Sequence, residues 1–194
     1  MISFGARYIS PAIVQKVMFK DAKVLPEKVS FIEFNPKDSV DLEAVYDVSE
    51  AWKTKDPYPA MIYSYMSYCA TCKAEEESEN TKFYALTTQK DNFEKPEAED
   101  IIALAQVNTA ESVTDGTKDV VEIEYLQAKP ESPLDNYFKP YKFKHIGTGI
   151  LDVFKKIFKG RKLVLYSNPM ACDFYLKNGF TQEDAVSAKF IYNA

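Results

Sequence analysis

The sequence predicts a mixed α/β (α+β) fold, a central and mostly antiparallel sheet flanked by helices, and three observations carry that prediction. The 194 residues are 46% hydrophobic, 14% aromatic and 27% charged, the make-up of a chain that buries a core. Segments with helical apolar spacing alternate with short β-branched and aromatic runs in the order β-α-α-β-β-β-α-β-α-β. No internal repeat and no linker-like stretch interrupts that order, so residues 1–194 read as a single domain.

Run 29–34 is strand-like, and from 38 to 52 the residues Leu42, Val45, Val48 and Trp52 recur at helical spacing with one face to bury. After the Pro57-Tyr58-Pro59 turn, Met61, Ile62, Tyr65, Met66 and Cys69 repeat the pattern. They predict a second helix to about residue 73, with the acid-rich stretch 75–80 as its exposed exit. Runs 82–88, 101–108 and 120–128 are strands separated by polar or Gly/Pro-containing segments, which suits an antiparallel meander. The last third alternates: helix 147–159 with Ile150, Val153, Phe154 and Ile157 inward, strand 162–167, helix 169–178 and strand 189–192. Asn168 is a cap, Pro169 takes the first helical position, and Gly179 closes that helix. Segment 6–18 adds an edge strand.

The longest stretch without a charge, 57–72, has 16 residues laced with Tyr, Ser and Thr. A bilayer span needs about 20 apolar residues, so no membrane helix is expected. The opening Met-Ile-Ser-Phe-Gly-Ala-Arg has no basic segment before an apolar run, and three cysteines do not make a secreted disulfide framework, so the expected compartment is the cytoplasm. Cys69-x-x-Cys72 has only Cys172 and His145 as further soft ligands, too few for a closed zinc site, and reads as core; no metal is expected. Trp52 and the tyrosines 58, 63, 65 and 68 read as core or as walls of a cleft.

Charge is uneven. Residues 139–162 carry eight basic side chains against the single acid Asp152, a local +7 in a chain of net −5, which leaves −12 elsewhere. An acidic protein with one basic segment and no reader motif is a poor fit to nucleic acid. The segment is either the solvated face of a helix or a local field for a phosphorylated ligand.

Inside it, Lys144-His-Ile-Gly-Thr-Gly149 leads into a helix. Glycines let backbone approach a ligand, and the unpaired N–H groups of a helix start attract anions. Upstream, the strand Glu122-Ile-Glu-Tyr-Leu-Gln-Ala-Lys-Pro130 ends in proline; downstream stands Asn168-Pro-Met-Ala171-Cys-Asp-Phe-Tyr175-Leu-Lys-Asn-Gly179-Phe180. In this order the three segments resemble the GNAT acetyltransferase superfamily. The Lys144-x-x-Gly147-x-Gly149 turn stands for its Arg/Gln-x-x-Gly-x-Gly/Ala.

The resemblance covers 120–180 in detail and implies acetyl-CoA as co-substrate and an amine-bearing small molecule or peptide as acceptor. It implies that main-chain groups of Leu126, Gln127 and Ala128 pair with the pantetheine arm. The amides of Ile146, Gly147, Thr148, Gly149 and Ile150 would hold the pyrophosphate, with Lys142, Lys144 or His145 as counter-charge. Tyr175 matches the family's general acid, or packs beside the cofactor; Asn168 matches a pantetheine contact, or serves as a helix cap. Glu122 and Glu124, two apart on a strand and so on one face, are candidates for the base or for binding a cationic acceptor. The alternative function is a GNAT-like domain that binds CoA or a protein partner without catalysis.

Three departures stand out. The loop 131–143 is long and carries five residues from Tyr, Phe and Pro, namely 137, 138, 140, 141 and 143, suited to gating or to dimer packing. Thr148 replaces a frequent basic residue. The final pair of strands is reduced to one, which invites a partner chain to complete the sheet as a homodimer.

Overall fold

The computed structural model describes residues 5–53, 57–71, 79–110, 119–130 and 141–193. In chain order these form β1 (Arg7–Met18), β2 (Val24–Phe34), α1 (Ser39–Trp52), α2 (Tyr58–Thr71), β3 (Thr81–Thr87), β4 (Ile101–Asn108) and β5 (Val120–Ala128). The remainder is β6 (Tyr141–Lys144), α3 (Ile146–Ile157), β7 (Lys162–Tyr166), α4 (Cys172–Lys177), β8 (Thr181–Gln182) and β9 (Lys189–Asn193). The strands make one sheet of order β6-β1-β2-β3-β4-β5-β7-β9-β8.

β1 to β5 run as consecutive antiparallel neighbours, with α1 and α2 spanning the connection from β2 to β3, and the expected meander of β3, β4 and β5 lies within them. β7 joins β5 in parallel, which requires the crossover that α3 supplies. Strand alternation sends Phe31 to one face of the sheet and Ile32 to the other. On the first face Phe31, Leu86, Val121 and Ile123 pack against Ile150 and Phe154 of α3. On the second, Ile32, Phe83 and Leu104 meet Val45, Val48 and Trp52 of α1 and Ile62 and Met66 of α2. β3 and β4 lie between both layers and are buried almost throughout.

α1 begins where Asp38 caps it, accepting from the amides of Val40 at 2.9 Å and Asp41 at 3.4 Å. Asp41, three residues in, is 0% exposed and accepts the N–H groups of Ala6 at 3.0 Å and Asn35 at 2.7 Å. It thereby ties the start of β1 and the end of β2 to the helix. Burial pushes its carboxyl up to about 7, although both N–H bonds oppose the shift.

Three expectations are corrected. Segment 6–18 is a strand, but it lies second in the sheet: β6 pairs outside it, Gln15↔Lys144 to Met18↔Tyr141, and four residues are too few to show a periodicity. The chain also has two final strands, since β8 pairs with β9 at Thr181↔Ile191 and Gln182↔Phe190. With that edge of β9 occupied by its own chain, the argument for a partner completing the sheet falls. Helix 169–178 is shorter than its pattern, a 3-10 turn Pro169–Ala171 followed by α4. Cys72, Lys139, 75–78 and loop residues 131–140 lie outside the described residues. Among the described residues no helix is long and apolar enough to cross a membrane, and no three His, Cys, Asp or Glu side chains are grouped to hold a metal ion.

Candidate functional site

β5 and β7 pair from Val120↔Lys162 to Ile123↔Leu165 and no further, although β5 continues to Ala128. The far half of β5 therefore turns an edge toward the space beside β7. There a cavity of about 640 Å³ opens, lined by Ala128, Lys129, Phe143, Lys144, His145, Ile146, Gly147, Thr148, Phe174, Lys177 and Asn178.

Its anion-attracting wall is the start of α3. His145 stands at the N-cap with φ 58°, in the left-handed region that few residues other than glycine adopt. The chain thereby turns from β6 straight into the helix. The Gly149 N–H already donates to the His145 carbonyl at 2.9 Å, so the donors left over at the helix start are those of Ile146, Gly147 and Thr148. This narrows the expected set of five amides. Gly149 and Ile150 are buried inside the fold.

The two glycines do different work. A Cβ on Gly149 would lie 3.0 Å from the Ile13 carbonyl and 3.2 Å from Val14 Cγ1, so this glycine lets α3 sit on β1. A Cβ on Gly147 would lie 2.8 Å from Phe174 Cζ; that ring fills the space a side chain would take at the mouth of the helix.

The basic run does not converge on the cavity as a block. Lys155 and Lys156 occupy the last turn of α3, about 14 Å along the axis from its start at 1.5 Å per residue. There they complement the negative end of the helix dipole. Lys155 Nζ bonds the Asn178 carbonyl at 2.8 Å, and Arg161 bonds the carbonyls of Thr109 and Val120 at 3.0 and 2.6 Å. Of the described part of the run, Lys144 and His145 line the cavity; Lys129 and Lys177, from two other segments, join them. Lys142, on β6 beside Phe143, is outside the lining. Phe143 comes from the aromatic loop singled out in the sequence, whereas Lys129, Phe174, Lys177 and Asn178 carried no signal, because they meet only when β5, β6 and α4 do.

Of the strand residues assigned to pantetheine, Ala128 lines the cavity, Leu126 packs on the α3-side core, and the Gln127 amide folds back to the Ala128 carbonyl at 2.8 Å. Asn168 is a cap: its Oδ1 accepts the Ala171 N–H at 3.1 Å.

Tyr175 lies on α4 among rings, 5.0 Å from Phe174 and 5.8 Å from both Phe180 and Phe190. Burial first, and then the neighbouring Tyr58, push its phenol up to about 12. Tyr58 opens α2 and contacts Tyr125 of β5 with ring centroids 5.6 Å apart. The two sides of the split sheet thus meet at a row of tyrosines 125, 58 and 175.

Glu122 and Glu124 stand on the strand below that row. Register passes from Gln106↔Tyr125 to Val107↔Ile123, so Glu124 is the extra residue of a bulge. Its carboxylate accepts the Gln106 side-chain N–H. Glu122 is half-buried, and burial, reinforced by the negative charge of Glu124, raises its carboxyl above the ordinary range against the opposing pull of Lys189.

No family model and no curated protein matches this chain. Solved structures do. The structure of PH1933 from Pyrococcus horikoshii OT3 is similar with a TM-score of 0.53 at 16% identity, over 86% of this chain and 98% of that one. PaiA N-acetyltransferase from Thermoplasma acidophilum in complex with coenzyme A matches at 0.44, with 21% identity over 80% and 93%. The Bacillus subtilis N-acetyltransferase YlbP in complex with coenzyme A also matches at 0.44, with 14% identity over 77% and 91%. At such identities the likeness is one of fold. A meander feeding a split parallel pair, with a glycine-bearing helix start at the split, is the fold of the GNAT N-acetyltransferases, to which this chain conforms.

Proposed function

We propose that the protein is an N-acetyltransferase that moves an acetyl group from acetyl-CoA to a primary amine. The observation that carries the reading is the cavity at the β5/β7 split, with three α3 amides that have no partner among the described residues on one side and Lys129, Lys144 and Lys177 around it. Oriented amides plus cations suit a pyrophosphate, and the unpaired edge of β5 suits an amide-bearing arm laid as an extra strand.

Bound acetyl-CoA would supply an activated acyl thioester. The residues of this chain divide the proton work. Glu122, with its raised carboxyl, is the better proton acceptor of the two glutamates for the attacking amine. Tyr175, pushed up to about 12, keeps its proton throughout the working range and offers it to the departing sulfur. A thiol has a pKa of roughly 8.5, so the phenol is the weaker acid and acts mainly by a hydrogen bond that strengthens as charge builds on sulfur. Tyr58 and Tyr125 wall the acceptor side, and Asn168 keeps its amide nitrogen available to the pantetheine arm.

Calorimetric titration with acetyl-CoA, and with dephospho-CoA as comparison, tests the reading. Binding is expected for both, weaker without the 3'-phosphate if the lysines act as proposed. Absence of binding at millimolar ligand would overturn the acetyltransferase reading and leave a GNAT-like domain without the donor.

A further inference from the structure

Gln106 is out of place in its strand. β4 reads Ile-Ile-Ala-Leu-Ala-Gln-Val-Asn, buried up to the last residue, and Gln106 is itself 1% exposed. Ala105 and Val107 pack on the α3 side, so alternation turns Gln106 to the α1/α2 side. There its amide nitrogen donates to Glu124, while its carbonyl oxygen Oε1 has no partner among the described residues. Burying a carboxamide with one end unpaired costs stability, and the bond it makes is spent on holding an exposed carboxylate still.

The bulge brings the surroundings together. Glu124 and Tyr125 leave the bulge adjacent to one another, and Tyr125 packs on the α1/α2 side with its ring 5.6 Å from that of Tyr58. Among the described residues no Lys, Arg or His pairs with Glu124; Lys189, the cation near Glu122, is bound to Glu183 at 2.8 Å. The wall therefore has a carboxylate held in place by a buried carboxamide and two aromatic faces beside it, and carboxylate and rings both attract a cation.

We propose that Glu124, positioned by Gln106 and flanked by Tyr58 and Tyr125, holds a second positive charge of the acceptor, so that the substrate class is a diamine-like cation. This rests on the acetyltransferase reading. The division of labour supports it: a carboxylate that takes the amine proton becomes neutral and cannot also anchor a cation, whereas two carboxylates on one face can do both at once. Glu122 serves the reacting nitrogen and Glu124 the remote one.

The test sets unbranched α,ω-diamines of three to eight carbons against monoamines of equal length, with acetyl-CoA saturating and thiol release as readout. At least one diamine is expected to exceed its monoamine by tenfold or more in kcat/KM, through KM. Glu124→Gln brings that ratio close to one, Glu124→Asp restores part of it, and Gln106→Leu lowers it. CoA titration of each variant shows that it is folded. A ratio near one for every diamine, or a ratio that survives Glu124→Gln, overturns the inference and leaves the enzyme reading in place. If no amine is acetylated, diamine binding to the CoA-saturated protein decides. Binding lost in Glu124→Gln upholds the cation site and sinks the enzyme, and absence of binding sinks both.

Discussion

Gly147 and Phe174 share one space: a Cβ on the glycine would stand 2.8 Å from the Cζ of the ring, although the two lie on different helices that both line the candidate cavity. Gly147→Ala must displace the Phe174 ring, which packs 5.0 Å from that of Tyr175. The first turn of α3 then loses its open approach. CoA affinity measured by calorimetry is expected to fall about tenfold, since one lost charge-assisted contact is worth on the order of 1.5 kcal/mol. Affinity unchanged in a folded variant would show that no ligand comes near this turn.

Tyr175→Phe keeps the ring among Phe174, Phe180 and Phe190 and removes only the hydroxyl. Turnover is expected to drop about 100-fold or more with CoA affinity little changed, the mark of a group that acts in the transition state. Turnover equal to the parent protein rejects Tyr175 as the acid.

Glu122 acts as base only when ionised, so kcat/KM should rise with pH through a value above the ordinary carboxylate range, as its raised carboxyl requires. Part of that rise comes from the charge on Glu124. In Glu124→Gln the ionised form of Glu122 is easier to reach, and the limb should move to lower pH; in Glu122→Gln it should vanish. A limb that stays put in Glu124→Gln belongs to another group.

Asp41 makes stability depend on pH. Its folded-state value of about 7 lies above the roughly 3.9 of an exposed Asp, so the folded chain holds the extra proton between those values. The stability from this group is complete below about pH 4 and is lost as pH rises through its folded-state value. Asp41→Ala removes the carboxylate that accepts the N–H groups of Ala6 and Asn35, at a cost of about 2–4 kcal/mol. Urea unfolding should find the gap between parent and variant widest near pH 5 and narrower near pH 8. An equal gap at both contradicts this account.

Gly149→Ala sets a methyl group 3.0 Å from a main-chain oxygen, which cannot swing aside as a side chain does. Thermal unfolding is expected to reveal a loss of about 1–3 kcal/mol, the usual cost of overpacking. An unchanged melt would mean that α3 can lift from β1 freely.

The longer elements were legible in the amino-acid order: α1 and α2 follow their apolar spacing within a residue or two, because a face that must be buried repeats at the period of its backbone, and β4, buried on both faces, shows as a continuous apolar run, with β5 also where its run stands. β6 and β8 were not, since four and two residues held by neighbouring strands have no period of their own. Of the cavity, the 144–148 turn was legible because glycines and a helix start leave a local mark, whereas Phe174 and Lys177 were not.

Glu122 and Glu124 divide along the same line. Their spacing alone puts them on one face of a strand, and that is a property of the chain. Which of them is half-buried with a raised carboxyl depends on how the folded chain packs around it, and which is tethered at a bulge depends on Gln106, 18 positions away on the neighbouring strand. Likewise the sequence determined that residues 139–162 are basic, yet tertiary structure sends most of that charge to the far end of α3 and brings Lys129 and Lys177 to the cavity instead. Local pattern determines which backbone each segment adopts, because its hydrogen bonds and buried face are set by near neighbours. Charge and reactivity at a site depend on burial and on partners brought in from elsewhere, and only the folded chain decides those.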